Sequence, residues 1–253
     1  MTRSGYAPVN GLRMYYEVHG EGRPLVLLPG GLHTIDLSFA DLLPGLAAGR
    51  QVIGTELQGH GRTADISRDL DMRFLAGDVA ALLDHLGVDQ ADVLGFSLGG
   101  MVALQLVLDH PGRVGRLIVA SAGYAADGFH PDISDPARHA TSTRMPTEDD
   151  FRQMQEAYLR LAPDPGYFGA FQAKVSQAAN SFPGWPTGEL SRITAPTLLV
   201  FGDHDFIRLE HAAEMHTLIP GAQLAVLPGA THMSLLHRTD LMLPLIGGFL
   251  ADR

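Results

Sequence analysis

Short apolar runs alternate along the chain with segments whose apolar residues recur at the helical period. The runs, which are typical of strands, lie at 25–28, 51–55, 91–94, 117–120, 196–201 and 224–227. The periodic segments, which predict helices, lie at 39–46, 72–86, 101–110, 210–218 and 240–250. Two further strand patterns, 6–9 and 12–19, are joined by Asn10-Gly11, a strong hairpin signal. Strands that alternate with helices indicate an α/β fold with a mainly parallel sheet.

Residues 122–190 interrupt this alternation. Helical patterns at 147–161 and 167–179 follow one another there, and prolines punctuate the segment. Thr147 and Asp150 have the spacing of a helix capping box. We therefore expect a helical cap at 122–190, inserted into a core domain that is formed by 1–121 and 191–253.

A serine lies where a predicted strand turns into a predicted helix. It is the centre of the sequence Gly95-Phe96-Ser97-Leu98-Gly99. A Gly-x-Ser-x-Gly motif in this context is typical of a nucleophile elbow, which exposes the serine hydroxyl at a strained turn. Glycine is needed on both sides because the neighbouring backbone leaves no room for side chains. The alternative, an ordinary small residue at a tight helix start, fits the strand–turn–helix placement less well.

Two later loops complete a pattern that resembles the α/β-hydrolase fold family. Gly202-Asp203-His204-Asp205 follows a strand and is similar to the family's Gly-x-x-Asp acid loop, and Gly229-Ala230-Thr231-His232 is similar to its histidine loop. The family order of nucleophile, acid and histidine is also matched. The resemblance implies an eight-stranded, mostly parallel sheet flanked by helices, and a compact, capped serine hydrolase of the carboxylesterase or lactonase kind.

The resemblance assigns the catalytic roles to Ser97, Asp205 and His232. A serine hydroxyl needs an adjacent base, and histidine suits that role near neutral pH. A carboxylate then orients the histidine and stabilises its charged form. The family spacing favours Asp205 over the neighbouring Asp203. The context of a strand followed by a glycine turn favours His232 over the competing histidines, which are His204 and His237.

The resemblance also predicts an oxyanion hole. The N–H group of Leu98, directly after the nucleophile, is one expected donor, and that of Gly31 is the other. Pro29 stands where the family usually has a histidine, so the hydrogen bonding that supports this loop is open to question.

A pocket under the cap would be largely apolar. His33 is either at its mouth or on a surface loop, whereas His60 is interpreted as structural. Each further candidate is also an ordinary core residue; these candidates are Phe96, Met145, Met154, Tyr158, Trp185 and Met233.

Composition narrows the function classes. The formal net charge of −10 argues against binding to nucleic acid, which needs a basic face. The chain contains no run of about eighteen apolar residues, so we expect no membrane span. The first five residues contain no apolar signal core and the chain has no cysteine, so we expect a cytoplasmic protein. No metal-ligand spacing or phosphate-binding glycine pattern is present, so we expect neither a bound metal ion nor a cofactor. The apolar cap residues are compatible with a homodimer.

These observations predict a serine hydrolase that cleaves a small to medium carboxylic ester or lactone through an acyl-enzyme. Three enzyme alternatives with this fold stay open: a carbon–carbon bond hydrolase of ring-cleavage products, a cofactor-free perhydrolase, and an aminopeptidase, which is disfavoured because no pair of carboxylates in the cap is singled out to bind a substrate amine. A ligand receptor that is not an enzyme is a further alternative. A serine nucleophile argues against epoxide hydrolase chemistry, in which the family uses an aspartate.

Overall fold

A tight hairpin opens the fold at Asn10-Gly11. The computed structural model describes residues 2–251, and in it Thr2–Val9 (β1) pairs antiparallel with Leu12–His19 (β2). Both turn residues have positive φ, 46° and 87°. A type I′ hairpin turn requires positive φ at both positions, and asparagine and glycine adopt it most readily. The ends of the predicted core, Met1 and residues 252–253, lie outside the described residues.

An eight-stranded sheet forms the centre of the molecule, with the order β1-β2-β4-β3-β5-β6-β7-β8. The remaining strands are β3 (Pro24–Leu28), β4 (Gln51–Thr55), β5 (Ala91–Phe96), β6 (Val114–Ala120), β7 (Thr197–His204) and β8 (Gln223–Thr231). All pairings from β4 to β8 are parallel, and β2 joins β4 antiparallel. The predicted α/β fold with a mostly parallel sheet is therefore confirmed. The carboxyl ends of β3 to β8 meet at one edge of the sheet, which gathers the loops that follow them.

Helices cover both faces of the sheet. The described residues form α1 (Ile35–Phe39), α2 (Leu43–Ala47), α3 (Met72–Leu86), α4 (Leu98–Asp109), α5 (Pro131–Ser134), α6 (Glu148–Leu161), α7 (Phe168–Ser181), α8 (Thr187–Leu190), α9 (Leu209–Leu218) and α10 (Thr239–Leu250). One apolar layer lies between the sheet and α3, α4 and α9, and the other between the sheet and α1, α2 and α10. Because successive strand residues point to opposite faces, Leu25 and Leu27 enter one layer while Val26 and Leu28 enter the other.

The single helix predicted at 39–46 is wrong. The structure has two short helices there, α1 and α2, separated by a turn at residues 40–42. Thr34 caps α1 by accepting a hydrogen bond from Leu37 N–H at 3.1 Å. Pro44 lies in the first turn of α2, where its missing N–H costs nothing, and it favours a new helix start over the continuation of an old one.

The segment between β6 and β7 is helical and carries α5 to α8. The predicted capping box is present: Thr147 Oγ1 accepts from Asp150 N–H at 3.1 Å, and Asp150 accepts from Thr147 N–H at 2.7 Å. Helix α7 packs on the loops at the carboxyl edge of the sheet, since Phe171 is fully buried against the ring of His60. We call residues 122–190 the insertion. Its role as a cap with these boundaries stays a prediction.

The loop after β4 is held by buried polar contacts. Arg62 donates to the buried Glu56 carboxylate from its N–H at 2.6 Å and from its guanidinium at 2.7 Å. His60 is fully buried and donates from Nδ1 to the carbonyl of Gln58 at 3.0 Å. Burial lowers the pKa of His60 to about 4, so this imidazole is neutral in the folded protein. These contacts support the structural interpretation of His60.

Helix α4 begins in direct contact with the sheet. A Cβ atom on Gly95 would lie 2.2 Å from the carbonyl oxygen of Gly99, and one on Gly99 would lie 2.1 Å from that of Leu28. Both distances are shorter than any real contact between such atoms. The two outer glycines of the motif are therefore required by close packing of backbone on backbone.

Substitution at the second of these glycines tests that packing. Gly99→Ala should lower the free energy of unfolding by about 3 kcal/mol or more, because backbone must move to admit the methyl group. Gly112→Ala is the matched control, since no atom lies within 4 Å of its added Cβ, and it should change stability by less than about 0.5 kcal/mol. Urea unfolding measures both. Equal stabilities for the two variants would contradict the close packing.

The buried neutral His60 predicts an acid-sensitive stability. Its pKa is about 4 in the folded chain and 6.5 in the unfolded reference, so its contribution is complete above pH 6.5 and is lost as the pH falls towards 4. At pH 5 the loss should reach about 2 kcal/mol. His60→Asn should therefore lose less stability between pH 7 and pH 5 than the wild type does, as measured by urea unfolding. His216→Asn, at an exposed position, is the control. A pH dependence that is the same in all three proteins would refute the assignment.

Candidate active site

Ser97 lies in a strained turn between β5 and α4. Its backbone has φ 54° and ψ −118°. Residues other than glycine rarely adopt this conformation, which costs of order 1–3 kcal/mol. The turn is held from both sides: Ser97 N–H donates to Ala120 O of β6 at 2.8 Å, and its carbonyl accepts from Met101 N–H of α4 at 3.0 Å. The result is a half-exposed hydroxyl at the carboxyl end of the sheet.

The structure brings the three predicted catalytic side chains together. His232, which follows β8, has Nε2 at 3.0 Å from Ser97 Oγ. Its Nδ1 lies 2.8 Å from Asp205 Oδ1, at the end of β7. Because an ionised carboxylate only accepts, Nδ1 carries a hydrogen, and in the neutral form of the ring Nε2 is then the acceptor that faces the serine hydroxyl. His232 and Asp205 are buried, so these contacts are shielded from water.

The Asp205 carboxylate is fully buried and accepts four hydrogen bonds. Oδ1 accepts from His232 and from Phe206 N–H at 2.7 Å. Oδ2 accepts from Gly202 N–H at 3.1 Å and from the hydroxyl of Ser121. Burial alone would raise the pKa of Asp205, but the charge and hydrogen bond of His232, with those of Ser121 and Gly202, hold it below its ordinary value. The carboxylate is therefore ionised at neutral pH.

The competing residues have other partners. Asp203 accepts from Ala230 N–H at 3.2 Å, which ties the loop that carries Asp205 to the loop that carries His232. His237 contacts Asp41 at 2.7 Å on the surface. His204 is exposed. Of the two carboxylates and three histidines considered from the sequence, only Asp205 and His232 bond to each other and reach Ser97.

The two predicted oxyanion donors are neighbours. A Cβ atom on Gly31 would lie 3.8 Å from that of Leu98, so the loop after β3 and the start of α4 are in contact. Leu98 is the first residue of α4, and N–H groups in the first helical turn have no partner within the helix.

Ser38 and His33 support the loop that lacks the family histidine. Gly30 N–H donates to Ser38 Oγ at 3.4 Å, and the same oxygen lies 3.0 Å from His33 Nδ1. His33 N–H also donates to the carbonyl of Gly30 at 3.1 Å. Ser38 is not predicted from the sequence, because nothing in its local pattern marks it as a partner of the loop.

His33 and Met233 line a cavity of about 290 Å³ beside the histidine loop. The other lining residues come from α1, the start of α6 and the histidine loop, and they are Leu37, Thr147, Asp150, Gln153, Thr231, Ser234 and His237. Burial lowers the pKa of His33 to about 3, so His33 is neutral. Repulsion from His232, His60 and His237 when they are protonated acts in the same direction. The cavity adjoins the residues on both sides of His232 and is more polar than the predicted pocket.

The other predicted pocket residues divide between the site and the packing of the insertion. Phe96 is buried with its ring 5.0 Å from that of His232. Met154 and Tyr158 are buried on α6, and Tyr158 contacts Phe168 and Phe171 of α7. Met145 is half-buried in the insertion.

Trp185 lies apart from the three catalytic candidates. It lines a second cavity, of about 500 Å³, between α3, α4 and α7, whose lining contains none of Ser97, Asp205 and His232. Its indole N–H donates to Gln105 Oε1 at 2.8 Å, which fixes the ring against the far half of α4. The structure thus separates Trp185 from the other residues that were predicted to line the pocket.

Residues 2–251 offer neither a candidate metal site nor a candidate membrane span. No group of three or more histidine, aspartate or glutamate side chains in that range is placed to hold a metal ion. None of the helices in that range is both long and apolar enough to cross a membrane.

Comparison with known proteins gives the family. A family model for the alpha/beta hydrolase fold matches residues 23–166. A pimeloyl-[acyl-carrier protein] methyl ester esterase from Neisseria meningitidis serogroup B is 31% identical over 229 residues, which cover 83% of this chain and 86% of the relative. A non-heme haloperoxidase from Rhodococcus erythropolis is 28% identical, with 88% and 90% covered.

A solved structure agrees with these sequence relatives. Est816, an N-acyl homoserine lactone degrading enzyme, is 28% identical with a TM-score of 0.74, and the match covers 98% of this chain and all of that one. The family model spans more than half of the chain, and the esterase relative matches most of its length. This chain is an enzyme of the α/β-hydrolase fold family.

Proposed function

We propose that this hydrolase cleaves a small to medium carboxylic ester or lactone through an acyl-enzyme formed on Ser97. The observation that supports the proposal best is the continuous hydrogen-bond chain from Ser97 through His232 to Asp205. It joins a strained serine, an imidazole and a buried carboxylate, which is the arrangement that nucleophilic catalysis by serine requires.

In the first half of the reaction, Ser97 Oγ attacks the acyl carbon while His232 Nε2 removes its proton. The carbonyl oxygen becomes an oxyanion, and the N–H groups of Gly31 and Leu98 are proposed to donate to it. The tetrahedral intermediate collapses, the carbon–oxygen bond to the alcohol breaks, and His232 gives its proton to the leaving alkoxide. The product is an ester of Ser97, and a lactone would leave its alcohol tethered to the same acyl group.

In the second half, water attacks the acyl-enzyme. His232 removes a proton from the water and returns it to Ser97 as the serine ester breaks. The sum is one ester and one water converted to one acid and one alcohol. Asp205 stays ionised throughout; it holds the Nδ1 hydrogen of His232 and stabilises the imidazolium that forms in each half.

The relatives support the substrate class. One is an esterase of a methyl ester and another degrades an N-acyl homoserine lactone, and both substrates carry a carboxylic ester bond. The haloperoxidase relative keeps perhydrolysis, in which peroxide replaces water in the second half, as the alternative to test on the same acyl-enzyme.

Removal of the serine hydroxyl is the direct test. Ser97→Ala should lower kcat for p-nitrophenyl acetate, butyrate and octanoate by roughly 1,000-fold or more, because no other group can form the acyl-enzyme. Release of p-nitrophenol by the wild type should continue over many turnovers. Ser67→Ala, an exposed serine, is the control and should retain full activity. Substantial turnover by folded Ser97→Ala would overturn the proposal, and a single burst by the wild type would favour a receptor.

The two aspartates near the end of β7 offer a matched comparison. Asp205→Asn should lower kcat by roughly 10,000-fold, because an amide favours the wrong tautomer of His232. Asp203→Asn should cost far less, since Asp203 bonds to the backbone of Ala230 and not to the imidazole. The same p-nitrophenyl ester assay, with circular dichroism as a check on folding, measures both. A larger loss for Asp203→Asn than for Asp205→Asn would contradict the assigned acid.

A further inference from the structure

A phenylalanine ring stacks face to face on the imidazole of His232. The ring centroids of Phe206 and His232 are 3.8 Å apart, and the ring planes differ by only 3°. Phe96, the other aromatic neighbour, is tilted by 39° at 5.0 Å. Phe206 directly follows Asp205 in the chain. A single loop therefore supplies His232 with both a carboxylate and an aromatic face.

This geometry suits a charged imidazole better than a neutral one. Two neutral aromatic rings disfavour an exact face-to-face arrangement, because the negative faces of their π-systems oppose each other. A cation over the face of a phenyl ring is attracted to that same negative charge. In the proposed reaction His232 is neutral at rest and positively charged in each transition state. The stack therefore stabilises the transition state more than the resting state, which is the condition for raising kcat.

The backbone of Phe206 is held on both sides. Phe206 N–H donates to Asp205 Oδ1 at 2.7 Å, and the carbonyl of Phe206 accepts from His130 N–H at 2.7 Å. The next residue, Ile207, forms an antiparallel bridge with Phe129. The core fixes the N–H side of this residue and the insertion fixes its carbonyl side, so the backbone from which the ring extends is anchored beside His232.

We propose that Phe206 is a positioning residue that keeps His232 aligned with Ser97 and stabilises its protonated form through the face of the phenyl ring. The inference rests on the proposed function, in which His232 is the base. Apolar packing alone could be supplied by an aliphatic side chain, whereas stabilisation of a cation needs the π-system.

Other titratable and charged groups lie around this pair, and a change confined to the ring of Phe206 leaves them in place. By element the titratable and charged groups are Asp203 and Asp205 at the end of β7, His33 after β3, His237 after β8, and His130 and Arg144 in the insertion. Arg144 donates to the carbonyl of Asp205 at 2.8 Å.

Fluorinated phenylalanines at position 206 give the sharpest test, because they keep the shape of the ring and progressively weaken its negative face. With p-nitrophenyl butyrate as substrate, kcat should fall through the mono-, di- and trifluoro series by about 3- to 30-fold in total, with KM little changed. The acid limb of the profile of kcat/KM against pH should move to lower pH in the same order, because a less stabilised imidazolium loses its proton more readily.

Variants with natural amino acids supply the controls. Phe206→Leu should have a kcat and an acid limb similar to those of the trifluoro variant. Phe206→Tyr, which keeps the aromatic face, should match the wild type in both. Phe74→Leu makes the same change on α3, where the ring contacts Arg68, and should alter neither quantity.

A fluorinated series with constant kcat and a constant acid limb would overturn the inference. So would a loss of activity in Phe206→Leu with an unmoved acid limb and no rescue by tyrosine, which would indicate packing only. If Phe206→Leu does not fold, the fluorinated series decides. Activity that survives in Ser97→Ala would instead defeat the proposed function, whereas serine-dependent activity with a flat series defeats only the role of Phe206.

Discussion

The buried carboxylate of Asp205 is the constraint on which the rest of the site depends. An ionised carboxylate removed from water is stable only when its lone pairs are taken up by donors, since an unpaired buried charge costs several kcal/mol. Here the donors come from three places in the sheet: Ser121 at the end of β6, Gly202 and Phe206 at the end of β7, and His232 after β8. The proposed chemistry therefore requires that the carboxyl ends of three adjacent parallel strands stay in register.

The same constraint gives the insertion a structural connection to the site. Arg144 donates to the carbonyl of Asp205, His130 donates to that of Phe206, and Phe129 bridges Ile207. These contacts reach the backbone of the acid loop and not its reacting atoms. The insertion is thus linked to the loop that holds Asp205, the hydrogen-bond partner of His232.

Local patterns in the sequence predicted the parts of the molecule that local interactions determine. The hairpin at Asn10-Gly11, the capping box at Thr147 and the glycines around Ser97 each follow from the backbone geometry of a few consecutive residues. The alternation of strand and helix patterns predicted the sheet, and the order of the serine, acid and histidine motifs predicted the family; the structure and the comparisons confirm both. The break between α1 and α2 was missed because an apolar period runs through residues 39–46 although Pro44 starts a new helix.

Contacts between distant segments were not predictable in the same way. Ser121 and Ser38 donate to or support functional loops, yet a single serine beside a strand or in a short helix carries no signal in the sequence. Trp185 was grouped with the pocket by residue type, whereas its hydrogen bond to Gln105 places it beside a different cavity. Phe206 adjoins a predicted catalytic residue, but only the three-dimensional placement of His232 reveals the stack.

The central claim is that Ser97 is the nucleophile of a preassembled triad. Its most direct test is covalent labelling with a fluorophosphonate, which reacts with an activated serine, followed by intact-protein mass spectrometry and peptide mapping. The account predicts one adduct per chain, located on Ser97, and its loss in His232→Ala. A folded protein that takes up no label, or an adduct on any other residue, would contradict it.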